Sequence, residues 1–283
     1  MIATLTLSLI CAPSAGAICV PVMAVAAFQG EELKDLIKRF DGILKSKVNE
    51  GEAIKLMDDF ILRFRALDNE IIAIDDNLEI GEGDAKAQRV ARKSKVKDME
   101  EIAEVVYRSF IHKGRKKITE GNLQLWKAAA YTLGQMGEDG GKYLMKAFEL
   151  KKFRDEPELR GLCLEQIGYT HAYKDFAEEL IDLLDHSEYL FIAKAADALA
   201  QFGEAPGKIR KLAIERMSKL LAQNYEATIT DKRDEEAQKK YRMTGRSMQN
   251  ALEALAHVSL EGPLDWTEWW NKNKNKAEVW RDE

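Results

Sequence analysis

The chain has 283 residues, 46% of them hydrophobic and 32% charged, and its 43 basic and 48 acidic side chains leave a formal net charge of -5. That apolar fraction excludes an intrinsically disordered chain, and the mild acidity excludes a protein that holds a polyanion by bulk charge. With only five prolines and no alternating Val/Ile runs, the composition points to an all-α protein.

Residues 1–26 carry no charged side chain and close on Ala24-Val25-Ala26, a small-x-small pattern. They are expected to be a signal peptide cleaved after Ala26, which would export the chain to the periplasm or the cell exterior and leave no membrane span behind. The leader lacks the Lys or Arg that usually opens such a segment. Cys11 and Cys19 lie inside it, so Cys163 is left alone among Leu162, Leu164 and Ile167. A thiol in that company reads as a small buried hydrophobe rather than a nucleophile.

Residues 27–117 read as a helical hairpin region. A first helix carries Leu33, Leu36, Ile37, Phe40, Ile43 and Leu44 at spacings of three and four. A longer one follows with Met57, Phe60, Phe64, Leu67, Ile71, Ile74 and Leu78, answered by Val96, Met99, Ala103, Val106 and Phe110. This is the pattern of two antiparallel helices sharing one seam, with the acidic stretch from Asp75 to Asp84 as the turn between them. Asp75, Asn77 and Glu79 alternate as calcium ligands do, but the sixth position is Ile80 and the twelfth is Lys86, so no calcium loop is expected. Two basic clusters, Lys86 to Lys97 and Lys113 to Lys117 with Arg115 inside it, have no interleaved aromatic residues for base stacking. They are expected to be solvated faces, and nucleic acid is not expected as a partner.

Residues 118–263 repeat. Leu133-Gly134-Gln135-Met136-Gly137, Ile167-Gly168-Tyr169-Thr170-His171 and Leu199-Ala200-Gln201-Phe202-Gly203 each close an Ala/Leu-rich helix, and Leu255-Ala256-His257-Val258-Ser259 is a weaker fourth copy. Each of the first three endings precedes a second helix, the signature of stacked helix pairs. The glycine endings are expected to supply left-handed caps. The polar stretch between Asn224 and Tyr241 is expected to hold a mobile insertion, residues 228–240.

Leu123 to Leu260 resembles HEAT repeats. The resemblance rests on Asp155 followed by Arg160, on the run from Ala195 to Gly203, and on Lys142-Tyr143-Leu144 opening a second helix. It implies an α-solenoid of HEAT-like helix pairs and a packing role for Asp155 and Arg160 as a ladder between units. The tetratricopeptide consensus has a similar period, but its offsets do not line up. Residues 264–283 carry Trp266, Trp269, Trp270 and Trp280. The first three suit one side of a terminal capping helix, and exported bacterial HEAT-like proteins can end in a similar way.

No nucleophile-base pair, phosphate-binding glycine loop or metal-ligand spacing appears around His112, His171, His186 or His257. No catalytic, cofactor-binding or metal residue is therefore expected. The leading expectation is a non-enzymatic exported scaffold or adaptor that takes a protein or peptide on a concave face presenting Lys142, Lys146, Lys174, Glu178, Asp182, Lys208 and Lys211. The alternative is an envelope enzyme or carbohydrate-binding protein using the C-terminal tryptophans. A lyase or chaperone for a pigment or cofactor would rest on fold alone.

Overall fold

Three helix starts are capped by short polar side chains. The Asp84 carboxylate accepts from the backbone N–H groups of Lys86 and Ala87, the Thr119 hydroxyl from Asn122 N–H, and the Asp234 carboxylate from Ala237 N–H. Pro157 sits in a first helical turn, where its missing N–H costs nothing. The computed structural model describes residues 32–46 and 49–282, and over that range it contains helices and no strand. The proposed leader, with Cys11 and Cys19, lies outside the described residues.

The α-helices are α1 (Leu33–Ser46), α2 (Glu50–Ile80), α3 (Ala85–Ile111), α4 (Glu120–Gly134), α5 (Gly137–Phe148) and α6 (Pro157–Tyr169), then α7 (Tyr173–Asp182), α8 (Tyr189–Ala200), α9 (Gly207–Thr230), α10 (Glu235–Ala256) and α11 (Asp265–Asn273). Most helices from α2 onward pack on the next but one, with a break between α5 and α7. In one series α2 packs on α4, α4 on α6, α6 on α8 and α8 on α10; in the other α3 packs on α5, α7 on α9 and α9 on α11. The first series approaches closely because small residues face it. A Cβ on Gly134 would lie 2.5 Å from Gln166 Oε1, and one on Gly168 only 2.7 Å from the Ala198 Cα. Between the two series the core is continuous from Leu36 to Trp266.

Four expectations are corrected. The acidic stretch after Ile74 is not a turn: α2 continues to Ile80, so Asp75, Asn77 and Glu79 occupy helical positions, and the chain reverses only through Gly81 to Asp84. Gly81 takes a φ of 71° and its N–H bonds Asn77 O, which closes α2 with the left-handed residue that only glycine adopts without steric cost. Second, the charged stretch 228–240 is no insertion. It is the end of α9 and the start of α10, joined by residues 231–234, with the Tyr225 and Tyr241 rings 5.6 Å apart and Gln238 Nε2 donating to Thr228 O at 3.0 Å. Packing against a neighbouring helix supplies what apolar content did not.

Third, of the two endings that close on glycine, only the one at Gly137 is left-handed, at φ 55°. His171 takes the corresponding place in the next unit at φ 53°, while Gly203 is not left-handed; a Cβ there would stand 3.2 Å from Ala254 O, so its role is close approach to α10. Fourth, Arg115 is not on a solvated face. It is 1% exposed, donates to Ile43 O at 3.0 Å and to Asn122 Oδ1 at 3.2 Å, and pairs with Glu50. One guanidinium thus ties the end of α1 to the starts of α2 and α4.

Candidate functional site

α9 turns Ala213, Ile214, Met217, Leu220 and Leu221 into the core, which leaves Leu212, Glu215 and Lys219 outward. Two neighbours then stand off from it. Between α7 and α9 runs a groove of about 410 Å³ lined by Glu178, Ile181, Asp182, Leu212, Glu215, Arg216 and Lys219. Between α9 and α11 lies another of about 510 Å³, where Ala222, Leu264 and Trp270 meet Glu226 and Glu268. Glu215 and Lys219 line both, so the two grooves adjoin across α9.

The floor is apolar and the rim is acidic. Ile181 and Leu212 lie in the first groove, and Leu212 is 43% exposed. Glu178, Asp182 and Glu215 line that groove with them against a single lysine, Lys219, whereas the Arg216 guanidinium is engaged by Asp185, which lies outside that lining. In the second groove Glu215, Glu226 and Glu268 face Lys219. An apolar body with cationic side chains is what such a surface accommodates, because burial of its apolar groups and attraction of its charges act together.

The seven residues expected to form one binding face are not brought together. Glu178 and Asp182 come together in the α7–α9 groove. Lys142 and Lys146 instead flank the Tyr143 ring, at 5.8 and 5.0 Å from its centroid, and that ring stacks on Tyr107 at 4.9 Å. Nearby Asp139 is held above the usual carboxylate range by burial, with Glu100 and Glu138 adding to the effect and Lys142 opposing it. Lys211 lies over the Trp280 ring at 5.9 Å. Lys174 and Lys208 are exposed in the first turns of α7 and α9 and line neither groove.

Arg160 and Asp155 part company. The Arg160 guanidinium sits 4.5 Å from the Phe148 ring and 4.6 Å from the Phe191 ring, and its Nε donates to Phe148 O at 2.9 Å, so it joins α5, α6 and α8. Asp155 is exposed in the turn before α6 and makes no side-chain hydrogen bond or ion pair among the described residues. The ladder implied by the resemblance is therefore not formed by this pair. Sequence reasoning overlooked Arg210, which is buried and donates to Ala205 O, Leu255 O and Arg281 O. A shared signal existed: an arginine three residues after Pro157 and another four after Pro206, each in a first helical turn.

Trp266 is fully buried, whereas Trp269, Trp270 and Trp280 are half-buried. Their rings meet edge to face, with interplanar angles of 66° for Trp266–Trp269, 81° for Trp269–Trp280 and 65° for Trp270–Trp280. Trp280 Nε1 donates to Asn273 O, and the Asp282 carboxylate accepts from Gly207 N–H at the start of α9. Burial pushes the Cys163 thiol up to about 12, so it stays protonated at neutral pH. Among the described residues no group of three or more His, Cys, Asp or Glu side chains is placed to hold a metal ion. A shallow depression on the other helix series, about 520 Å³, is lined by Arg65, Tyr131, Gln135, Glu165 and Tyr169. Comparison with protein-family models, curated proteins and solved structures finds no match for this chain.

Proposed function

We propose that the chain is a non-enzymatic scaffold, an α-solenoid of HEAT-like helix pairs that holds a peptide segment of a partner protein in the grooves flanking α9. The observation that carries this reading is the adjoining pair of grooves, apolar at Ile181, Leu212, Leu264 and Trp270 and acidic at Glu178, Asp182, Glu215, Glu226 and Glu268. The solenoid half of the proposal is supported by the unbroken series in which α2, α4, α6, α8 and α10 each pack on the next. The partner segment is then one that combines basic and apolar side chains. On this reading the chain acts outside the cytoplasm after loss of residues 1–26, which N-terminal sequencing of the exported protein tests. Among the described residues no helix is long and apolar enough to cross a membrane.

The test is titration of the protein with a labelled peptide rich in Arg and Leu. Binding is expected, and Glu178→Lys with Asp182→Lys should weaken it by about tenfold or more, since like charges set against each other in an interface cost several kcal/mol. Equal affinity for a peptide with the same Leu pattern and Asp in place of Arg would overturn the reading. The carbohydrate alternative is tested in parallel with an oligosaccharide and tryptophan fluorescence. Against it stands the mutual tilt of the rings, which leaves no coplanar platform for a sugar face.

A further inference from the structure

The distal hairpin separates its charges by helix. From Asp68 to Asp84 there are seven acidic residues and no basic one; from Lys86 to Lys97 there are six basic residues and no acidic one. Each set opposes its own helix dipole, acids in the C-terminal half of α2 and bases in the N-terminal half of α3. Attraction within the hairpin uses part of this charge. Arg92 Nε lies 2.7 Å from Asp75 Oδ1 on one side, and Lys95 pairs with Glu70 on the other.

The remainder is ordered. Asp68, Ile72, Asp75 and Glu79 recur at four, three and four, so they form a single stripe along α2. Lys86, Val90, Lys93 and Lys97 do the same on α3, and helical phase sets both stripes on the side of the hairpin that carries the Asp75–Arg92 bridge. Asp68, Glu79, Lys86, Lys93 and Lys97 are exposed and have no ion-pair partner among the described residues. Ile72 is 52% exposed and Val90 66%.

An acidic column beside a basic column is its own complement. A half-turn about an axis parallel to the hairpin and midway between the columns lays acid on base twice, whereas a half-turn about an axis across it lays like on like. We propose that a second copy of this chain docks on this face, the two hairpins parallel, with α2 of each copy against α3 of the other. A polyanion is disfavoured by the adjacent carboxylates. The stripe covers about 17 Å of helix at ~1.5 Å per residue, so the contact is at the small end of specific interfaces and depends on salt.

Sedimentation equilibrium on the full chain tests this. Concentration-dependent dimerisation is expected, weakened by about tenfold or more between ~0.05 M and ~0.5 M salt as the charges are screened. Lys86→Glu with Lys93→Glu and Lys97→Glu should give a monomer, as should Asp68→Lys with Glu79→Lys; an equimolar mixture of the two variants should recover a heterodimer. A wild-type chain monomeric at low salt, a reversed variant that still dimerises alone, or a mixture that stays monomeric overturns the proposal. Circular dichroism shows that each variant is folded, and Ile72→Ser with Val90→Ser, which leaves every charge in place, should independently weaken the dimer. Peptide binding in the α9 grooves involves none of these residues, so the two proposals fail separately.

Discussion

The α2–α3 hairpin and the α6–α8 pair are both built on apolar residues three and four apart, yet they hold together differently. In the body of the protein α6 has neighbours on several sides: Leu164, Ile167 and Cys163 are fully buried, and Gly168 admits the Ala198 backbone. In the distal hairpin Leu67, Ile74 and Leu78 are only half-buried along a single seam, while Ile72, Ile80 and Val90 face solvent. Hydrophobic periodicity of the same quality thus yields different burial, because burial depends on how many helices surround a residue. The charges of the hairpin meet as largely exposed ion pairs across the seam, whereas in the body Arg160 and Arg210 are held against backbone carbonyls and, for Arg160, two aromatic rings.

The largest test of this contrast concerns the joint between the two regions. Arg115→Ala should cost about 3–5 kcal/mol by chemical denaturation, because it leaves Glu50, Asn122 and Ile43 O without their buried donor. A loss below about 1 kcal/mol would show that the joint is held by its apolar contacts instead. The contrast itself is broken or sharpened by a pair of truncations. Leu164→Ala should cost ~2–5 kcal/mol, since it opens a cavity in a fully packed site, and Ile74→Ala less than ~1 kcal/mol. Equal costs would mean that the hairpin is as well enclosed as the body.

A finer probe addresses close approach. Gly168→Ala should destabilise by ~1–3 kcal/mol as α6 is pushed away from α8, and should speed modification of Cys163 by a thiol reagent, which otherwise requires unfolding. The smallest effect is expected at Lys152, whose ammonium lies 4.2 Å from the Trp126 ring and is lowered by burial to about 8 from its ordinary 10.5. The charged form is disfavoured in the folded state, so the penalty is fully present below pH 8 and fades as pH rises toward 10.5. Discounted for its solvent-facing part, the penalty is of the order of 1 kcal/mol, and Lys152→Met should remove both it and the associated rise in stability between those pH values. Thermal melts across that range check the difference between the two proteins.

What the sequence by itself determined is what neighbours three or four residues apart can determine: helices rather than strands, the seam of α2 and α3, the small-residue faces at Gly134, Gly168 and Ala198, and the buried state of Cys163 and Trp266. The tertiary structure alone decided the rest. Glu178 and Glu215 share a groove although 37 residues separate them, and Trp270 reaches the same helix from the far end of the chain. Nothing local distinguishes Arg115 from Lys113 and Lys116 beside it, yet only Arg115 has three acceptors converging on it from other elements. Periodicity records which side of a helix turns inward; which outward residues end up facing one another depends on the placement of distant helices, and that is set by packing.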